Sequence, residues 1–420
     1  MSSKVPTSKL GRLARLASMG ARTGAGMLFK KGDQSGADRA AAVLGNLRGL
    51  AAKAGQMASY VDGIVPEAQR DVYEATLRKL QSQTLRSSAA EVRATIERDF
   101  GKPASELFRS FDEEPFASAS IGQVHKAVTL GGAHVAVKVQ HAHIKEAVEA
   151  DLTNASLLQS FGSLTMGRRV ELDKMMEVMK ARFREELDYE HEAEQLAFFA
   201  ELHAGDPQIR LPRLHAELSS KHVLTSEFVS GMHFEEACSA PLEERRKWAE
   251  TLWRFVFKGN LVGRRFNADP HPGNYIFHPN GEVTFLDFGC VQKIAPEHHA
   301  RAVEVHMAAM RKDDAAFRAG CRAMFSSKPG ALEDAAIGYT RECFEPLFGS
   351  PFKITRSYSA NLVTGMKALA KMVRSVPEHE FFTMPSNMLF MNRLQFGFYS
   401  VLARLDVEVD YGEVERAFML

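Results

Sequence analysis

Three polar residues late in the chain have the types and spacing to gather a cation. Asp269 lies in Asn267-Ala-Asp-Pro-His-Pro-Gly-Asn274, so a side-chain amide follows the carboxylate after five positions. A second carboxylate, Asp287, sits in Leu286-Asp-Phe-Gly289, thirteen positions beyond Asn274. Oxygens brought together by such short loops suit magnesium, which takes hard oxygen ligands and completes its shell with water and phosphate. Either loop alone reads equally as an Asx turn or a cap. The two together, in this order, point to phosphate chemistry.

Residues further upstream complete the pattern. Val135-Ala-Val-Lys138 puts an ammonium on a segment where Val135, Val137 and Val139 alternate, as in a strand. A lysine there needs an anion beside it, because a lone buried charge is costly. Glu192, on a charged helical stretch, can supply it. Ala117-x-Ala119-x-x-Gly122-x-Val124 has the frame of a glycine-rich phosphate loop, with alanine at the first two glycine positions. Val124 and Lys138 are far enough apart for a strand, a turn and a strand. Residues 223–229 read as a strand ending before Gly231, as a hinge between lobes would, with Glu227 and Val229 at its end. This succession is the order of protein-kinase-type phosphoryl-transfer sites.

The elements that must hold these residues are mostly helical. Val43, Leu44, Leu47, Leu50, Ala51 and Ala54 repeat with a period near that of a helix, and residues 66–80 are again amphipathic. Ser88-x-x-Glu91 is a capping-box pattern ahead of a helix that Gly101 and Pro103 close. Residues 122–128 and 134–139 read as a hairpin around Gly131–Gly132, and residues 144–204 as long helices. Two short strands are expected at 212–217 and 222–228, then an amphipathic helix over 241–263 around Trp248, Leu252 and Phe255. Brief strands flank Asn280–Gly281, a strong hairpin signal. Residues 295–420 read mainly as helix, so the class is α+β with a helical majority.

Composition bounds the rest. The chain has 420 residues, 45% hydrophobic and 25% charged, which fits two or three globular domains and excludes wholesale disorder or a fibre. A net charge of +1 argues against a nucleic-acid partner held by bulk charge. Cys238, Cys290, Cys321 and Cys343 lie far apart, without metal-knuckle or disulfide spacing, as in a reducing compartment. Cys290, next to Gly289, reads as a small packed side chain. Residues 1–32 carry seven basic side chains and no acid, leaving 46 basic and 52 acidic groups in the remainder, a balance of −6. Leu10, Leu13 and Leu16 beside Arg12 and Arg15 suit a basic helix on an anionic membrane. A solvated tail or an Arg-rich transit peptide is an alternative reading. Residues 388–405 come nearest to a membrane span, but Asn392, Arg393, Gln395 and Arg404 interrupt them.

Taken together, Lys53-Ala-Gly-Gln56, Ala117-Ser-Ala-Ser-Ile-Gly-Gln-Val-His125, Glu186-Leu-Asp188 with Glu192, Asp-Pro-His-Pro-Gly-Asn and Leu-Asp-Phe-Gly resemble the UbiB/AarF family of atypical kinases. The resemblance runs from about residue 40 to the C-terminus. It implies a two-lobed kinase-like fold with ATP and Mg2+ as cofactors. Asp269 would be the catalytic-loop carboxylate, Asn274 and Asp287 the magnesium ligands, and Lys138 the phosphate contact paired with Glu192. Ala117, Ser118, Ala119 and Ser120 would cover the phosphates, with Gly122 and Val124 completing the loop and Glu227 and Val229 the hinge. Lys53 and Gln56 would lie on a helical lid that fills the space of a protein substrate, contacted by Glu186 and Asp188. Without the family, Lys53 reads as a surface lysine and Glu186 and Asp188 as solvated charges. The implied organisation is a basic leader over 1–35, a helical extension over 36–112, an N-lobe with a helical insert over 113–229 and a helical C-lobe over 230–420.

Two features depart from the family's pattern. Asn267 stands where His or Gln is usual, and Ser82-Gln-Thr-Leu-Arg86 replaces Asp-x-Val-Pro-Pro. The function implied is an ATP-dependent atypical kinase or ATPase supporting ubiquinone or related isoprenoid-lipid biosynthesis at a membrane surface. It would meet isoprenoid lipids or quinone-pathway intermediates, and quinone-biosynthesis enzymes. Its place would be cytoplasmic and peripherally membrane-bound, or mitochondrial in a eukaryote. A non-catalytic nucleotide-binding scaffold and a conventional kinase are the alternatives; the Lys53–Gln56 motif argues against the latter.

Overall fold

A computed structural model describes residues 87–118, 121–142, 144–146, 149, 184–185, 187–373 and 388–419. Lys53, Gln56, Ala119, Ser120 and Glu186, the basic leader and the helices expected over 36–86 lie outside these residues, as do most of 144–183.

Helix α1 (Ala89–Phe100) begins at the capping box read from the sequence: the Ser88 hydroxyl accepts from the Glu91 amide, and Glu91 reaches back to the Ser88 amide. It ends at Gly101, whose φ of 66° is the left-handed conformation that glycine adopts without Cβ strain. Strands β1 (Phe108–Phe111), β2 (Ala117–Ser118), β3 (Gly122–Thr129) and β4 (His134–Gln140) follow. β3 and β4 form the expected antiparallel hairpin, closed by Gly132 at φ 88°. Alternation then assigns the faces. Val135, Val137 and Val139 are fully buried in a core with Val92 and Ile96 of α1, each contributing about 1.5–3 kcal/mol by its burial. Lys138 consequently points to the opposite face. β1 pairs with β3, so the edge read at 112–113 runs through one sheet, and the described part of residues 36–112 is joined to the strands after it.

Helix α2 (Tyr189–Leu202) leads to β5 (Ile209–Arg210) and β6 (Val223–Glu227), and β6 completes the first sheet beside β4. The strand expected over 212–217 is not formed. Pro212 has no amide to donate to a ladder. The chain instead makes single rungs with β6, Glu227 N to Arg213 O at 2.8 Å and His215 N to Thr225 O at 2.9 Å, before a turn of 3-10 helix over Ala216–Leu218.

The C-lobe is built on helix α3 (Leu242–Leu261), whose Trp248, Leu252, Trp253 and Phe255 are buried. Short strands β7 (Arg265–Asn267), β8 (Tyr275–Phe277), β9 (Val283–Phe285) and β10 (Val291–Lys293) lie against it. β8 and β9 pair around Asn280 (φ 64°) and Gly281 (φ 82°), as the Asn-Gly signal predicted. β7 pairs with β10, which brings the loops after Asn267 and before Val291 side by side. Helices α4 (Pro296–Met310), α5 (Asp314–Phe325), α6 (Ala331–Cys343), α7 (Arg356–Val373), α8 (Met388–Leu405) and α9 (Tyr411–Met419) finish the lobe. A strand pair the sequence did not suggest, β11 (Phe352–Lys353) with β12 (Glu408–Val409), joins two of its connections. Among the described residues no helix is long and apolar enough to cross a membrane.

Candidate active site

The strand lysine meets its predicted partner. Lys138 Nζ lies 2.8 and 2.9 Å from the two carboxylate oxygens of Glu192, and 3.6 Å from Asp287 Oδ2. The Lys138 and Glu192 side chains are only 16% and 3% exposed, against 33% for Asp287, so this is an inner charge cluster with one wetter member. Burial would drive the ammonium toward its neutral form, but Asp287 and Glu192 outweigh it and hold Lys138 well above the ordinary lysine range. Burial first, and the Asp287 charge after Lys138, act on Glu192 and leave it above the usual carboxylate range. The two-oxygen contact fits an ionised pair, and two carboxylates beside one lysine leave negative charge in excess.

Helix α2 is placed by Asp188, whose carboxylate caps it by accepting from the Glu190 and His191 amides at 3.1 and 3.3 Å. Tyr189 and Glu192 are three residues apart and share one face of α2. The Tyr189 ring lies 4.9 Å from Lys138 Nζ. One further turn pair along, Phe199 packs on Phe288 of Asp-Phe-Gly at 5.3 Å between ring centroids. One helix thus fixes both the lysine and the Asp-Phe-Gly segment. Tyr189 had no role in the sequence reading, although its spacing from Glu192 carried the signal.

Gly122 has a packing role that its loop pattern does not reveal. It is buried, and a Cβ there would meet Val139 O at 2.5 Å and Tyr189 Oη at 2.7 Å. Gly122→Ala is therefore expected to destabilise the protein by about 1–3 kcal/mol and to displace Tyr189 from beneath Lys138. Urea unfolding checks this; an unchanged midpoint would count against the close approach. On β3, Gln123 and His125 point away from Lys138 into a buried network, with Gln123 Nε2 to His125 Nε2 at 3.0 Å and His125 Nδ1 to Asp112 O at 2.7 Å. Val124 takes the cleft face opposite Lys138. Ala117 and Ser118 are exposed on β2, paired with Val124 and Gln123.

At the far end of β6, the Glu227 carboxylate turns to the Arg210 guanidinium at 2.5 Å, and its amide donates to Arg213 O at 2.8 Å. Val229 follows Phe228, whose amide donates to His134 O at 3.0 Å. Phe228 meets the exposed Phe116 edge to face at 5.5 Å, with Lys126 Nζ 4.7 Å from the Phe228 ring. Gly231 then passes so close to Ile276 that a Cβ would lie 2.6 Å from its Cγ2, a tight exit into the C-lobe.

Asn267 explains how the two acidic loops are joined. Its Nδ2 donates to Asp287 O at 2.5 Å, and its Oδ1 accepts from the Asp269 amide at 3.1 Å. One amide side chain therefore ties both loops together, a task that needs a donor and an acceptor on one short group. Asn274 Nδ2 donates to Asp269 O at 3.1 Å, which orients its carbonyl oxygen away from that contact. Asp287 Oδ1 accepts from the Gly289 amide at 3.0 Å. An oriented amide oxygen, a carboxylate and the excess negative charge fit magnesium, a hard cation that keeps water and phosphate in its shell. Cys290 is buried and packed, as expected.

The chain is 28% identical to "Atypical kinase coq-8, mitochondrial" of Caenorhabditis elegans, over 90% of its own length and 50% of that protein's. It is 26% identical to "Atypical kinase COQ8B, mitochondrial" of Rattus norvegicus, over 97% and 79%. It thus spans half the length of the nematode relative. A Mycobacterium tuberculosis protein solved in complex with erythromycin has the same fold, with a TM-score of 0.62 at 24% identity over 98% of each chain. Residues 79–319, more than half of the chain, match the ABC1 atypical kinase-like domain. The chain belongs to the ABC1 atypical kinase-like family, also known as UbiB/AarF.

Proposed function

We propose that this protein binds ATP with Mg2+ in the cleft between the β3–β4 hairpin and the Asp269 loop, and transfers the γ-phosphoryl group to an acceptor or to water. The observation that carries this reading is the Lys138–Glu192–Asp287 cluster, in which a buried ammonium is held charged beside an acid of the C-lobe. Lys138 contacts the nucleotide phosphates, while Glu192 keeps its ammonium in place. Ala117, Ser118, Ala119 and Ser120 cover the phosphates, and the main chain around Glu227 and Val229 receives the base. Asn274 and Asp287 hold magnesium, which when bound offsets charge on the phosphate oxygens. Asp269 orients the acceptor hydroxyl or water and takes its proton as the new bond to the γ-phosphorus forms and the bond from that phosphorus to the β–γ bridging oxygen breaks, releasing ADP. The family resemblance assigns Lys53, Gln56, Glu186 and Asp188 a regulatory role that would favour ATP hydrolysis over phosphorylation of proteins.

The family resemblance is the basis for a role in ubiquinone or related isoprenoid-quinone biosynthesis, which would make isoprenoid intermediates and the enzymes that handle them its partners. The +7 leader gives the contact with an anionic membrane, cytoplasmic or, in a eukaryote, mitochondrial. Complementation of a quinone-deficient strain lacking its own family member, with lipid-quinone analysis, tests this role. Wild type is expected to restore the quinone and Asp269→Asn is not; equal rescue by both would leave the protein a scaffold.

A further inference from the structure

The C-lobe contains a cavity of about 170 Å3 whose lining includes none of the cleft residues named above. Its walls come from α3, α4, α5, α6, the turn after α6 and α8 and are rich in aromatic side chains, with Trp253, Phe257, Phe344 and Phe398 among them. Asn260, near the end of α3, lines it and is only 4% exposed. Neither its Oδ1 nor its Nδ2 has a hydrogen-bond partner among the described residues. Buried amides are normally paired, because a donor or acceptor removed from water without a partner is costly.

Tyr339 Oη, also in the lining, is likewise without a hydrogen-bond partner among the described residues, whereas several other polar groups of the wall are engaged. Gln395 Nε2 and Tyr399 Oη both donate to Cys343 O, at 3.1 and 3.0 Å. Thr340 Oγ1 donates to Ala336 O at 2.8 Å, and His306 Nδ1 lies 3.0 Å from Glu415 Oε2. The lining contains no Lys, Arg, Asp or Glu. Burial pushes the Cys343 thiol up to about 12 and the Tyr339 and Tyr399 phenols above their ordinary range, so these walls stay neutral. Two histidines, His298 and His306, also line the cavity, and His306 already meets Glu415, so a charged guest would find little counter-charge here.

We propose that this cavity binds a neutral molecule the size of one substituted ring, anchored by a group that both donates to and accepts from the Asn260 side-chain amide. The size follows from the volume, since an apolar cavity of about 150 Å3 admits benzene. A primary carboxamide or a lactam is the best match, because two amides can form two antiparallel hydrogen bonds. The inference does not rest on the phosphoryl-transfer reading, because no cleft residue enters it.

Benzamide and isopropylbenzene have the same number of heavy atoms and differ in the polar group. Each is titrated into the full chain and into Asn260→Leu, with binding followed by ligand-observed NMR. Wild type is expected to bind both saturably, and the preference for benzamide should fall about tenfold in Asn260→Leu while isopropylbenzene is retained. Ala302→Phe, which fills the cavity from its half-buried wall, should abolish both. Absence of saturable binding to wild type, an unchanged preference in Asn260→Leu, or undiminished binding by a folded Ala302→Phe would each overturn the proposal.

Discussion

Glu192→Ala is expected to lower the unfolding free energy by about 3 kcal/mol and to cut ATP turnover by about a hundredfold or more. The stability loss follows from burial. The glutamate is 3% exposed, and its removal takes two hydrogen bonds from Lys138 Nζ. Removing one member of a buried pair costs about 3–5 kcal/mol. The lower end applies because Asp287 Oδ2 remains 3.6 Å from the ammonium. The turnover loss follows from geometry. With Glu192 gone, Lys138 is drawn toward Asp287 and loses the contact that fixes it relative to the phosphates. Urea unfolding and phosphate release measure the two effects separately. Wild-type values for both would show that the pair has neither role.

Asp269→Asn is expected to reduce phosphate release by about 10²–10⁴-fold, the range for loss of a positioned general base, with nucleotide binding nearly unchanged. The substitution keeps the size of the side chain and the backbone contacts around it. The Asp269 amide still donates to Asn267 Oδ1, and its carbonyl still accepts from Asn274 Nδ2. The fold of the loop should therefore survive while the proton acceptor is lost. A parallel loss of nucleotide affinity would move Asp269 from proton transfer to binding. Unimpaired release would remove it from the chemistry.

Much of this site was legible in the sequence because it is written in local signals. Alternating valines set Lys138 on one face of β4, a capping box started α1, and Asn280–Gly281 marked the β8–β9 turn. The pairing of Lys138 with Glu192 followed from the cost of a lone charge. What remained hidden depends on distant approach. Gly122 looked like part of a phosphate loop, and only the nearness of Val139 O and Tyr189 Oη reveals its packing role. Asn267 looked like a departure from its family's pattern, yet it bonds two loops twenty residues apart. The strand misplaced at 212–217 shows the same limit: alternation suggested a ladder, but Pro212 and single rungs to β6 decided the outcome. The Asn260 cavity gathers residues from five helices, and no motif records such a convergence.

The most direct test of the central claim is phosphate release from ATP by the purified full chain, with magnesium in excess and with magnesium chelated. Wild type and Asp269→Asn are measured side by side. The Asn274–Asp287 arrangement and the excess negative charge around Lys138 predict release by wild type only when magnesium is present, restored on its return, and background release by Asp269→Asn throughout. Release that persists at the same rate after chelation, or that Asp269→Asn matches, would contradict magnesium-dependent phosphoryl transfer in this cleft.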